Sequence, residues 1–133
     1  MLIRHLTVGG LRSYPPDPTQ VGLAPLTLVF GPNSAGKSSL LSVLPMLAQT
    51  AARPDVLTMS GDLVEGGSFR MAVHRHDVET PMTLGFGWTS AAGVPREAAI
   101  SFAWDEQRRA AVRSRTQIID GTGNGSFGLM INE

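Results

Sequence analysis

Residues 26–40, LTLVFGPNSAGKSSL, constrain this chain more than any other stretch. Leu26, Leu28 and Phe30 alternate with Thr27 and Val29, which predicts a buried strand ending at one point. Gly31, Gly36, Lys37 and Ser38 then fit the pattern G-x-x-x-x-G-K-[ST] of a phosphate-binding P-loop. The chemistry needs those residue types at that spacing. A loop that wraps a polyphosphate must turn successive backbone N–H groups inward, and a Cβ at either glycine obstructs the approach or the required backbone angles. A helix starting at about Lys37 sets its positive end beneath the phosphates. The Lys37 ammonium reaches back to the terminal phosphates, and the Ser38 hydroxyl is placed to ligate Mg²⁺. Lys37 is the sole lysine in a chain whose other strong bases are all arginine. The plainer alternative is a glycine turn between a strand and an ordinary helix.

Size and composition bound the rest. At 133 residues the chain is one domain at most. Acids and bases balance at 11 each, so no bulk attraction to nucleic acid or an anionic membrane follows. The absence of cysteine excludes disulfides and thiolate metal sites. The opening MLIRHLTV does not read as a signal peptide, because Arg4 and His5 cut its apolar run. The longest apolar helical run, 40–52, contains Ser42, Pro45 and Gln49 and is too short and polar to span a bilayer. The expectation is a soluble cytoplasmic protein with no membrane partner.

Taken in order, residues 2–8 read as a strand, broken at Gly9-Gly10 and followed by LRSY and a proline-rich loop over 15–24. After the P-loop, Leu40, Leu44, Leu47 and Ala51 form a helical stripe widened by Leu41 and Ala48. Pro45 lies inside that helix and predicts a bend near Leu41–Pro45, or two short helices. Residues 53–68 read as a connecting loop with a short extended piece at 62–65. From Phe69 the pattern turns to strands: FRMAVHRHDVE, MTLGFGW, AAISFAW, RAAVRSRTQII and SFGLMI. Their short breaks imply antiparallel neighbours. The chain thus divides into a strand–P-loop–helix unit (1–52), a connecting loop (53–68) and an antiparallel β region (69–133).

The segment GPNSAGKSSL at 31–40 resembles the Walker A motif of ABC-type ATPases, with Pro32 and Asn33 in the same register. Ser34 and the Ser38-Ser39 pair are most similar to the chromosome-maintenance and repair branch: the SMC, RecF and overcoming-lysogenization-defect (OLD) proteins. Leu11-Arg12-Ser13-Tyr14 resembles the aromatic turn that precedes the P-loop there, and GDLVEGGSFRMAVHRH at 61–76 is similar to a stretch of OLD-related ATPases. The resemblance covers about residues 1–77. It implies an α/β P-loop NTPase fold: an ABC-ATPase-like N-terminal lobe, with a mixed sheet around the P-loop helix and an antiparallel β subdomain. It also implies ATP and Mg²⁺ as cofactors. Gly31, Pro32, Asn33, Ser34, Ala35, Gly36, Lys37, Ser38 and Ser39 would hold the nucleotide, with Lys37 catalytic, Ser38 on the metal, and Arg12 and Ser13 approaching. In the complete protein two heads would close over two nucleotides as a homodimer, with DNA a further partner, in DNA repair or anti-phage defence.

The chain departs from that family in lacking a Walker B strand ending in Asp-Glu and an LSGGQ-like signature. Asp105-Glu106 follows an alternating strand rather than a buried apolar one and reads as a surface turn, and Gly123–Ser126 reads as another turn. The expectation is an incomplete head that does not hydrolyse ATP alone. The alternatives are an ABC transporter nucleotide-binding subunit, or a truncated module that binds nucleotide or a partner without turnover. His74 and His76 share a face if 69–79 is a strand, but two ligands make a poor zinc site. Arg108, Arg109, Arg113 and Arg115 form a basic cluster, with Arg113 and Arg115 on one strand face. That cluster suits a DNA backbone, or a charged edge that discourages strand pairing. Tyr14, Trp88 and Trp104 read as core or interface residues rather than adenine platforms.

Overall fold

Alternation of apolar and polar residues builds the sheet on which the rest of the chain packs. The computed structural model describes residues 1–32, 35–121 and the strand backbone of 126–129. β1 (Leu2–Gly9) and β2 (Thr19–Gly22) precede α1 (Lys37–Thr50), and a short α2 (Phe69–Ala72) with a 3₁₀ turn (His74–His76) follows it. β3 (Met82–Thr89), β4 (Pro95–Asp105), β5 (Ala110–Asp120) and β6 (Ser126–Leu129) complete the order. Six strands form one sheet in the order β2-β1-β3-β4-β5-β6. Every pairing in it is antiparallel. Leu6 and Val8 of β1, Met82 and Leu84 of β3, and Phe102 of β4 supply its buried face. α1 covers β1 and β3 with Leu40, Val43 and Met46.

The α/β lobe with a mixed sheet is therefore not the fold, and the correction has a local cause. Residues 26–30 form no strand: they pair with no neighbour among the described residues. Leu26, Leu28 and Phe30 are 80%, 78% and 90% exposed, while Val29 packs toward the core. The period of two survives, but the apolar face expected to be buried is the uncovered one. A parallel strand needs a neighbour reached by a crossover, and here the chain leaving α1 runs into antiparallel hairpins instead.

Three further expectations are corrected. Residues 69–79 are not a strand. Phe69 and Ala72 are buried three positions apart, as on one face of a helical turn, while Met71 is 68% exposed. Arg75 and His76 then take left-handed backbone angles, φ 55° and 56°, which end any extended run. α1 is one continuous helix through Pro45 rather than two. Pro45 leaves the Leu41 carbonyl without its usual donor, and Leu41 is exposed, so water reaches that side of the helix. The buried face of α1 is Ser39, Leu40, Ser42, Val43, Met46 and Thr50. Leu44 and Leu47 are half-buried, and Leu41, Ala48 and Ala51 are exposed.

The 53–68 segment is more than a connector. Leu57 and Met59 enter the core, and Leu57 N–H donates to the Ala111 carbonyl at 2.9 Å, on the stretch of β5 that β6 does not pair with. The Gln49 side-chain oxygen accepts from Leu63 and Val64 N–H, each at 2.8 Å, which ties the 59–66 turn to the end of α1. A bulge in the β4–β5 pairing sets Ser101 opposite Arg115 and Phe102 opposite Arg113. Consecutive residues of β4 face opposite sides, so Arg113 and Arg115 do not share a face. Arg113 is instead held by Asp55 at 2.8 Å. No helix among the described residues is long and apolar enough to cross a membrane.

Candidate functional site

The P-loop segment turns at Pro32, whose carbonyl accepts from Ala35 N–H at 3.1 Å, and Gly36 then opens α1. Gly36 takes φ 92° and ψ 14°, a left-handed conformation that a β-carbon disfavours. Space imposes the same choice. A Cβ on Gly36 would stand 2.7 Å from Ser13 Oγ and 2.8 Å from Tyr14 Cε2. The LRSY turn thus packs directly against the end of the loop. Tyr14 Oη donates to the Gly36 carbonyl at 3.3 Å, and Leu40 N–H donates to the same carbonyl at 3.0 Å.

That bond from Leu40 is the first of the helix, so the N–H groups of Lys37, Ser38 and Ser39 precede the ladder. No side chain among the described residues caps them, and no acidic residue lies in the first turn. The positive end of α1 thus has no acidic residue in its own first turn to offset it. Lys37 folds back over the loop: its ammonium donates to the carbonyls of Gly31 and, at 3.1 Å, of Pro32. The Ser38 hydroxyl is exposed, while Ser39 is 2% exposed and lies in the core-facing side of the helix. Asn33 and Ser34 lie outside the described residues.

The geometry therefore joins Gly31, Pro32, Ala35, Gly36 and Lys37 in one turn, with Ser13 and Tyr14 against it. Arg12 is directed elsewhere. Its guanidinium donates to the Gly66 carbonyl at 3.4 Å, and its own carbonyl lies 2.6 Å from His74 Nδ1. Tyr14 is the contact that sequence reasoning missed as part of the loop; the aromatic in LRSY was its only signal. A Mg²⁺ held by phosphate, water and one hydroxyl asks for no protein carboxylate cluster. The exposed Ser38 suits that arrangement, and no group of three or more His, Cys, Asp or Glu that could hold a metal occurs among the described residues.

The remaining candidates are engaged in local structure. Asp105 Oδ1 accepts from Gln107 and Arg108 N–H, each at 2.9 Å, which closes the β4–β5 turn. Glu106 pairs with Arg70 at 3.1 Å. His74 and His76 sit in the 3₁₀ turn, each with Nδ1 against a backbone carbonyl, and not on a strand face. Trp104 stacks on Phe69 with ring centroids 5.8 Å apart, and Trp88 tilts against Phe86 at 5.2 Å. The Gly123–Ser126 turn falls largely outside the described residues. No family model and no curated protein matches this chain.

Proposed function

We propose that residues 31–39 hold the polyphosphate of ATP, with Mg²⁺ bridged to the chain through Ser38. One observation carries this reading: the only lysine folds over a glycine-bounded turn at a helix start that no side chain caps among the described residues. In the free loop the ammonium rests on the Gly31 and Pro32 carbonyls, acceptors that phosphate oxygens replace with stronger, charge-assisted bonds. The N–H groups of Lys37, Ser38 and Ser39 lie where a helix dipole favours an anion. Mg²⁺, when bound, screens the charge of the β- and γ-phosphates. In a longer ATPase of the SMC, RecF or OLD kind, the same loop would serve hydrolysis, closure of two copies over nucleotide, and DNA repair or anti-phage defence.

A second reading, a module that binds nucleotide or a partner without turnover, is favoured for these 133 residues by one finding. Asp105 and Glu106, the chain's one Asp-Glu pair, are committed to a turn and to Arg70 rather than to the P-loop. Calorimetric titration of the chain with MgATP, with phosphate release measured separately, tests both statements. Binding is expected to weaken at least roughly tenfold in Lys37→Ala, with no phosphate release above background. Equal affinity in the variant contradicts the site. Robust turnover by the chain alone contradicts the second reading.

A further inference from the structure

Away from the P-loop, the 56–60 and 67–70 segments face the β4–β5 hairpin across a cleft of about 420 Å³. Cavities of roughly this size suit small organic ligands. Leu57, Met59 and Ala111 line it with apolar surface, Phe69 and Trp104 with aromatic surface, and Arg70 and Arg109 with charge. The aromatic wall has two neighbours: Trp104 stacks on Phe69 at an interplanar angle of 15°, and the Arg70 guanidinium lies 4.9 Å from the indole centroid.

One charge at this cleft has no partner among the described residues, that of Arg109. Its neighbours are neutralised, Arg70 by Glu106 at 3.1 Å, Arg108 by Asp105 at 4.0 Å and Arg113 by Asp55 at 2.8 Å. Arg109 makes no ion pair among the described residues, and it closes the hairpin in a left-handed conformation, φ 49°. Its charge thus stands at an apolar, aromatic cleft with no ion-pair partner among the described residues.

We infer that this cleft binds a small organic anion with a flat apolar body, an aromatic carboxylate being the simplest member of the class. The body lies on Leu57 and Met59 beside the Phe69–Trp104 stack, and the anionic group pairs with Arg109. The inference does not depend on nucleotide binding at the P-loop.

Nitrogen-15 NMR of the indole N–H groups tests it, because the chain has two tryptophans. Trp104→Phe assigns the two signals. Titration with 1-naphthoate is expected to shift the Trp104 indole signal saturably and leave that of Trp88 in place. Arg109→Gln is expected to weaken the response by roughly fivefold, and Arg109→Lys to retain most of it. The neutral analogue 1-naphthalenemethanol should bind roughly fivefold more weakly than naphthoate and be indifferent to Arg109→Gln. Unchanged dispersion of the Trp88 signal and the backbone amides verifies that each variant is folded. No shift at Trp104, an equal shift at Trp88, or equal binding of the neutral and anionic probes overturns the proposal.

Discussion

Gly36 carries two constraints at once, one of backbone and one of space. Its left-handed angles disfavour any L side chain, and Ser13 and Tyr14 occupy the volume a Cβ would need. Gly36→Ala should therefore cost about 1–3 kcal/mol of stability, read as a lower urea midpoint with unchanged slope. A midpoint equal to that of the unsubstituted chain would mean that the LRSY turn does not pack on the loop. The sequence pattern marks Gly36 through its spacing to Lys37, so the position of the turn and of the helix start was legible. The reason the glycine is also needed by the rest of the fold was not, because Ser13 and Tyr14 lie more than 20 residues away in the chain. The arginines show the same limit. Arg113 and Arg115 share a face on an ideal strand, and the bulge opposite Ser101 and Phe102 separates them.

Among the elements, β1, β3, β4 and β5 lie where alternation predicts, because each has a neighbour on both edges or a covered face. In β4, Phe102 is fully buried, while Ile100 and Trp104 on the same face are partly buried against the core. Residues 69–79 show why a short apolar run misleads. Phe69, Met71 and Val73 satisfy a period of two, while Phe69, Ala72 and Val73 satisfy a helical turn, and 11 residues cannot separate the patterns. Tertiary contact decides: Val73 bridges to Leu11, and Phe69 stacks on Trp104. Phe69→Ala should destabilise the chain by about 3–5 kcal/mol. Met71→Ala should change stability by less than about 0.5 kcal/mol, since that side chain is mostly in solvent. Comparable losses from both substitutions in thermal unfolding would restore the strand reading. In α1, six residues are buried on one face, yet that face is turned toward Val43 and Met46 rather than Leu44 and Leu47. Hydrophobic spacing shows that a stripe exists, and the sheet beneath fixes its exact azimuth.

For the whole molecule, one antiparallel sheet with α1 against β1 and β3 replaces the mixed sheet that the P-loop resemblance implies. Periodicity identifies which residues share a face but not whether anything covers it. Residues 26–30 are the clearest instance, since Leu26, Leu28 and Phe30 keep the expected alternation and remain in solvent. The loop that follows them is held at its far end by α1 and by the LRSY turn, with Val29 the one residue of 26–30 packed toward the core. That anchoring is the physical basis for expecting a phosphate grip from Gly36, Lys37 and the first amides of α1. The most direct measurement is amide NMR of the chain titrated with MgATP and, in parallel, with adenosine. The account predicts saturable shifts at the Gly36, Lys37, Ser38 and Ser39 amides with MgATP and none there with adenosine. Shifts confined to other parts of the chain, or none at all with MgATP, would contradict it.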